Sequence, residues 1–143
     1  MSDIVTQALE HIAAQYGPRR VFNNAKDVGD YFCLRLGLNE REVFSVAFLD
    51  SQLRLIEVED MFFGSINSAS VYPREVVKLA LKYNAGAVVF AHNHPSGITK
   101  PSAQDRELTK DLKKALSLFE INVVDHIVVG GSDHFSFSEH GLI

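Results

Sequence analysis

The sequence has a single cysteine, Cys33, and that scarcity excludes an intrachain disulfide and any cysteine-rich zinc cluster. Cys33 stands among Tyr31, Phe32, Leu34 and Leu36, so it reads as a small buried hydrophobe rather than a reactive thiol. Long hydrophobic runs are missing as well. None approaches the roughly 18 residues of a membrane span, and the N-terminus lacks the apolar core of a signal peptide, which makes the chain read as soluble and cytoplasmic. Positive charge is in short supply: 14 Lys and Arg stand against 18 Asp and Glu, for a net charge of -4, so no global field draws the chain to polyphosphate. The one basic strip, Lys110, Lys113 and Lys114, reads first as a solvated helix face and only second as a nucleic-acid contact. Also absent are a Gly-rich phosphate loop, a His-Glu-x-x-His helix, and the His-x-Glu with Pro-Cys-x-x-Cys of zinc deaminases.

What remains is an ordinary globular composition, 46% hydrophobic and 22% charged over 143 residues, enough for one domain with its own core. Apolar residues at helical spacing predict a helix over 2–16, with Ser2 as its cap and Gly17-Pro18 as its stop. A second helix follows Asn24, which can cap it, and ends at Gly37. Residues 42–50 form an apolar, centrally placed strand; Asp50-Ser51-Gln52 turns it, and 53–63 return antiparallel with Phe62 and Phe63 in the core. After a small-polar loop, Pro73 starts a helix with Val76, Val77, Leu79, Ala80 and Tyr83 on its apolar stripe. The run GAVVFA is a buried strand, and Ser102 to Phe119 is a helix with Leu108, Leu112, Ala115, Leu116 and Phe119 on one side. Ile121 to Val129 is another strand, and a turn at Gly130-Gly131-Ser132-Asp133 leads to a last one, with Phe135 and Phe137 buried and Ser136 and Ser138 wet. His11, His134 and His140 read as surface residues. This order of elements indicates an α/β domain with a mixed sheet and helices on both faces.

The stretch Ala91 to Asp105, AHNHPSGITKPSAQD, carries the chemistry. His92 and His94 are two apart at a strand end, so their imidazoles project to one side and can reach one ion. Pro95, Ser96 and Gly97 break the strand, and Ser102 and Asp105 share a face at the start of the next helix. Two imidazoles and one carboxylate leave a fourth tetrahedral position for water, which is the pattern of a catalytic zinc site. Zinc suits the borderline-soft imidazoles better than magnesium does. The competing reading of Ser102 and Asp105 is a helix capping box, which does not exclude the ligand role. Asp125-His126 puts two polar groups inside an apolar strand, where they must find partners if buried. Orienting a ligand or the substrate is one use for them.

The spacing His92-x-His94-x7-Ser102-x-x-Asp105 resembles the signature of the JAMM (MPN+) metalloprotease domain. The fuller string HNHPSG, PS, D and VVDHIVVG is similar to its RadC branch, and the likeness extends over EVFSVAFLD, RLIEVEDMFFGSIN and VYPREVVKLAL. The resemblance implies a cytidine-deaminase-like three-layer sandwich over residues 39–143, with residues 1–38 as helices packing on it. It implies zinc ligands His92, His94 and Asp105, an assisting hydroxyl on Ser102, and a glutamate general base earlier in the chain. Glu42, which opens an apolar strand, is the choice for that base, with Glu40, Glu57 and Glu59 as rivals. The implied activity is hydrolysis of a peptide or isopeptide bond in a protein or peptide substrate. The RadC likeness also carries a DNA-repair association, so a metal-dependent nuclease is the second reading, although the segment before Asn39 is too short for the helix-hairpin-helix region of RadC proteins. A non-enzymatic partner-binding module, as a homo-oligomer or on another protein, is the third.

Overall fold

A computed structural model describes residues 3–15 and 20–143; the expected cap Ser2 and stop Gly17-Pro18 lie outside the described residues. The elements run α1 (Asp3–Gln15), α2 (Ala25–Leu36), β1 (Val43–Leu49), β2 (Leu55–Phe63), α3 (Pro73–Lys82), β3 (Ala87–Asn93), α4 (Ala103–Ser117), β4 (Asn122–Gly130) and β5 (Asp133–Ser136). The strands form one sheet in the order β2-β1-β3-β4-β5. Only β3 and β4 are parallel, joined by the α4 crossover; the remaining neighbours are antiparallel. This is the expected mixed α/β sandwich.

Every residue of β1 and of β3 is buried, because helices cover both faces of the sheet. On one face Phe44, Val46, Phe48, Val88 and Phe90 pack against Val76 and Ala80 of α3 and Leu108, Leu112 and Leu116 of α4. On the other, Ala47, Leu49, Val89, Ile127 and Val129 pack against Val28, Phe32 and Leu36 of α2, with Leu9 of α1 added at the margin. Asn24 caps α2 by accepting from the Lys26 and Asp27 amides, and the Gly37 N–H closes its far end on the Cys33 carbonyl. Pro73 starts α3 as expected.

Four expectations need correction. Phe62 is buried but Phe63 is 53% exposed, because successive strand residues face opposite ways. The Arg41 guanidinium covers its ring at 5.6 Å. In the last strand the alternation is broken: Ser136 and Phe137 are both buried. The strand ends at Ser136, whose hydroxyl donates to Asp125, and the chain turns inward into a short 3-10 turn, Ser138–His140. Phe119 lies past the end of α4 and is 49% exposed instead of extending the apolar stripe. His134 is half-buried: its ring packs so closely on α2 that a Cβ at Gly29 would meet it at 2.2 Å. His11 and His140 are exposed, the latter with its ring stacked on Phe135 at 4.0 Å.

Candidate metal centre

Three elements converge at one end of the sheet. His92 is the penultimate residue of β3, with no exposed surface, and His94 is one residue beyond the strand and half-buried. The His94 N–H still extends the ladder to the Val129 carbonyl at 2.7 Å, which holds the turn that follows. That turn reverses at Gly97, whose φ of +86° disfavours any side chain. It also brings the Ile98 carbonyl back to His94 Nδ1 at 2.8 Å.

Asp105 comes from the first turn of α4 and is 3% exposed. The expected capping box is present: Ser102 Oγ accepts from the Asp105 N–H, and Asp105 Oδ2 accepts from the Ser102 N–H. The same carboxylate reaches the imidazoles, Oδ1 at 3.2 Å from His92 Nε2 and Oδ2 at 3.2 Å from His94 Nε2. The two Nε2 atoms are 3.1 Å apart. A tetrahedral ion with bonds of about 2.0–2.1 Å holds its ligand atoms about 3.3 Å apart, so this spacing fits one ion. Cap and candidate ligand are one residue acting through different lone pairs.

The donor set also fits a cation. A carbonyl can only accept, so His94 donates from Nδ1 to Ile98, and a neutral His94 turns a bare Nε2 toward its neighbours. That nitrogen then faces another ring nitrogen and a carboxylate, an arrangement that asks for a positive charge between them. The ionisation directions agree. Burial raises the pKa of the Asp105 carboxyl, but the contacts with His92 and His94 outweigh it and hold that pKa far below the carboxylate range. The His94 pKa is raised by the contact with Asp105, against the effect of burial, with Ile98 and the Glu42 charge adding to it. His92, His94 and Asp105 can hold a metal ion, their ligand atoms all lying within 4.8 Å of one another.

Glu42 stands beside this centre. β1 and β3 pair with Phe44 opposite His92, and that register carried two residues further sets Glu42 opposite His94. Its Oε2 accepts from the Ile66 N–H at 3.0 Å, which ties the carboxylate to the loop after β2. Of its rivals, Glu59 pairs with Val46 in the middle of the sheet and accepts from the Tyr83 hydroxyl. Glu57 pairs with Phe48, further still from the histidines. Glu40 is exposed and lines a cleft of about 420 Å³ together with His94, Asn93 and Pro95.

Three residues at the centre were not read as candidates or were read only in outline. Asn93, between the two histidines, faces the other way: its Oδ1 accepts from Val43 N–H at 2.7 Å and its Nδ2 donates to the Arg41 and Asn39 carbonyls. It thereby clamps the segment that carries Glu42. His126 is fully buried with Nε2 at 2.7 Å from His92 Nδ1, and burial, with the neighbouring His92 adding, pushes its pKa well down. Thr109 of α4 touches His126 from behind at 2.6 Å. The Asp105-x3-Thr109 spacing on one helix face was the available signal for it. Asp125 takes no part in the centre: it accepts from the Ser136 hydroxyl and from the His126 and Ser138 amides, and burial raises its pKa.

His126 reaches this face only because of an irregularity in β4. Val88 pairs with Val123 but Val89 pairs with Asp125, so Val124 is an extra residue that shifts the alternation by one. The His126 ring accordingly meets Phe44 and Phe90, on the same side as α4, and stacks on Phe137 at 4.7 Å.

Comparison with known proteins places this arrangement. The chain is 54% identical over 142 residues to a UPF0758 protein of Pseudoalteromonas translucida, covering 96% of this chain and 63% of that protein. It is 48% identical over 140 residues to a UPF0758 protein of Leptothrix cholodnii, covering 98% of this chain and 63% of that one. A UPF0758 protein of Vibrio cholerae is 48% identical over 140 residues, and there the chain spans 88% of the relative. The chain thus spans less than two thirds of the length of the first two. A family model for the RadC-like JAB domain matches residues 22–142, from ahead of α2 to beyond β5. With a match over most of its length and a His-His-Asp cluster at the expected strand end, the chain belongs to the RadC-like JAB domain family.

Proposed function

We propose that the chain is a zinc-dependent hydrolase that cleaves an amide, peptide or isopeptide bond in a protein or peptide substrate. The observation that carries this reading is the convergence of His92 Nε2, His94 Nε2 and the Asp105 carboxylate at mutual distances of 3.1–3.2 Å. Two imidazoles in the set favour zinc over magnesium. An ion held by His92, His94 and Asp105 would supply an activated water by lowering its pKa toward about 7.

The chain's own residues divide the remaining work. Glu42, with one oxygen fixed by the Ile66 N–H, has the other free to take a proton from the attacking water and return it to the leaving amine. Ser102 accepts from Asp105 N–H and retains its own O–H, which it donates to the oxygen of the carbonyl under attack. Burial of His92 and Asp105 keeps bulk water from competing for the ion's protein ligands.

A nuclease reading draws no support from the net charge of -4. The exposed Lys110, Lys113 and Lys114 point along α4 as a solvated row. No helix among the described residues is long and apolar enough to cross a membrane. We place the activity in the cytoplasm.

Elemental analysis of the purified protein tests the reading. One zinc per chain is expected for the wild type, and His94→Ala should lose it while the far-ultraviolet circular dichroism is unchanged. Full metal retention by His94→Ala, or a wild type that takes up no metal, would overturn it. Ser102→Ala should keep the zinc and lose about 100-fold in turnover.

A further inference from the structure

The direction of each hydrogen bond behind His92 can be fixed in turn. Thr109 Oγ1 lies 2.7 Å from the Asp105 carbonyl oxygen, and a carbonyl only accepts, so the hydroxyl spends its single proton there. The same oxygen is 2.6 Å from His126 Nδ1 and must accept. His126 therefore carries a proton on Nδ1. Its ring is stacked on Phe137 and enclosed by the edges of Phe44 and Phe90, with no exposed surface, which leaves it the neutral form and a bare Nε2. That bare Nε2, 2.7 Å from His92 Nδ1, accepts a proton from it. A neutral His92 protonated on Nδ1 has its Nε2 lone pair free, and this is the atom that faces His94 and Asp105.

We propose that Thr109 and His126 are positioning residues: a one-way chain of hydrogen bonds from His92 to the Asp105 carbonyl locks His92 in the tautomer that offers Nε2 to a metal ion. The chain begins and ends on two residues of the same centre, so the imidazole and the helix bearing the carboxylate are held to each other through Thr109. His94 reaches the same tautomer more simply, through the Ile98 carbonyl. The inference rests on the metal-binding reading above. It adds that ligand quality at His92 is set by a threonine on the neighbouring helix, since partners behind a ligating histidine fix its orientation and basicity.

The test uses two readouts. Nitrogen-15 spectra of the histidines in the metal-free wild-type protein, at about pH 8 so that ordinary imidazoles are neutral, should show His92 protonated on Nδ1. Competition with a chromophoric zinc chelator should show Thr109→Val binding zinc about 10- to 100-fold more weakly, with an unchanged circular dichroism spectrum. Thr109→Ser, which keeps the hydroxyl, should restore wild-type affinity. A spectrum with His92 protonated on Nε2 overturns the proposal, as does Thr109→Val with wild-type affinity or a Thr109→Ser that fails to recover it. A wild type that binds no zinc sinks the hydrolase reading alone, and the tautomer spectrum still decides this one. That spectrum is recorded on the wild type, so it does not depend on any variant folding.

Discussion

The two faces of the sheet each present an acidic side chain to a buried polar group, and they deal with it in opposite ways. On the side of α2, Asp60 is answered within the protein: it accepts from the Arg35 guanidinium at 3.0 Å and from the buried Ser45 hydroxyl. Arg35 in turn reaches the Tyr31 hydroxyl. Donors and acceptors there close on themselves. On the side of α4, Asp105 meets two imidazoles whose other nitrogens are committed elsewhere, to Ile98 and to His126. A carboxylate with its own cation is structural; a buried one facing converging lone pairs is waiting for a charge from outside.

The largest effect that would sharpen this contrast belongs to Asp105→Asn. The amide oxygen can still accept from the Ser102 N–H, so the cap survives, while the negative charge between the histidines is gone. Zinc affinity is expected to fall by more than about 100-fold, and the thermal midpoint of the metal-free protein to stay close to that of wild type. Equal loss of stability and of metal would mean that the residue is chiefly a cap. Asp60→Ala, on the other face, should do the reverse: a loss of about 1–2 kcal/mol in urea unfolding, because the buried Ser45 hydroxyl loses its acceptor, with zinc titration unchanged. A shift in zinc affinity there would break the distinction between the faces.

The smallest effect concerns Cys33, also on the α2 side. Burial, with Asp30 and Asp133 adding, pushes its thiol up to about 11. A folded-state pKa above the unfolded value contributes stability below the ordinary thiol range, and this contribution is lost as pH rises toward about 11. Labelling by a thiol-specific disulfide reagent at pH 8 should accordingly be slow in the native protein and immediate in urea. Fast native labelling would show the thiol to be more open than its half-buried position and its hydrogen bond to the Asp133 carbonyl allow.

How much of this was legible in the sequence follows from how far apart the cooperating residues are. His92, His94 and Asp105 sit in one short stretch, where strand alternation and a helix start decide their directions, so their convergence could be read directly. Asn24, Gly37 and Pro73 announced their helix ends for the same local reason. Glu42 needed the β1–β3 register, which no local pattern prints. Phe63 was misjudged because two adjacent strand residues were both placed in the core, and Ser136 because alternation was carried past the strand end, β5 stopping before Phe137. Thr109 and His126 acquire meaning only when α4 and β4 lie side by side.

The extra residue at Val124 has a consequence of its own. Which way His126 points depends on parity: whether the count of residues from Val123 is odd or even. Were β4 to pair without this irregularity, with Val124 opposite Val89, His126 would fall opposite Ala91, aim its imidazole at α2 and leave His92 Nδ1 without this partner. The centre therefore depends on one residue of register two positions ahead of His126, because every step along a strand reverses its sides.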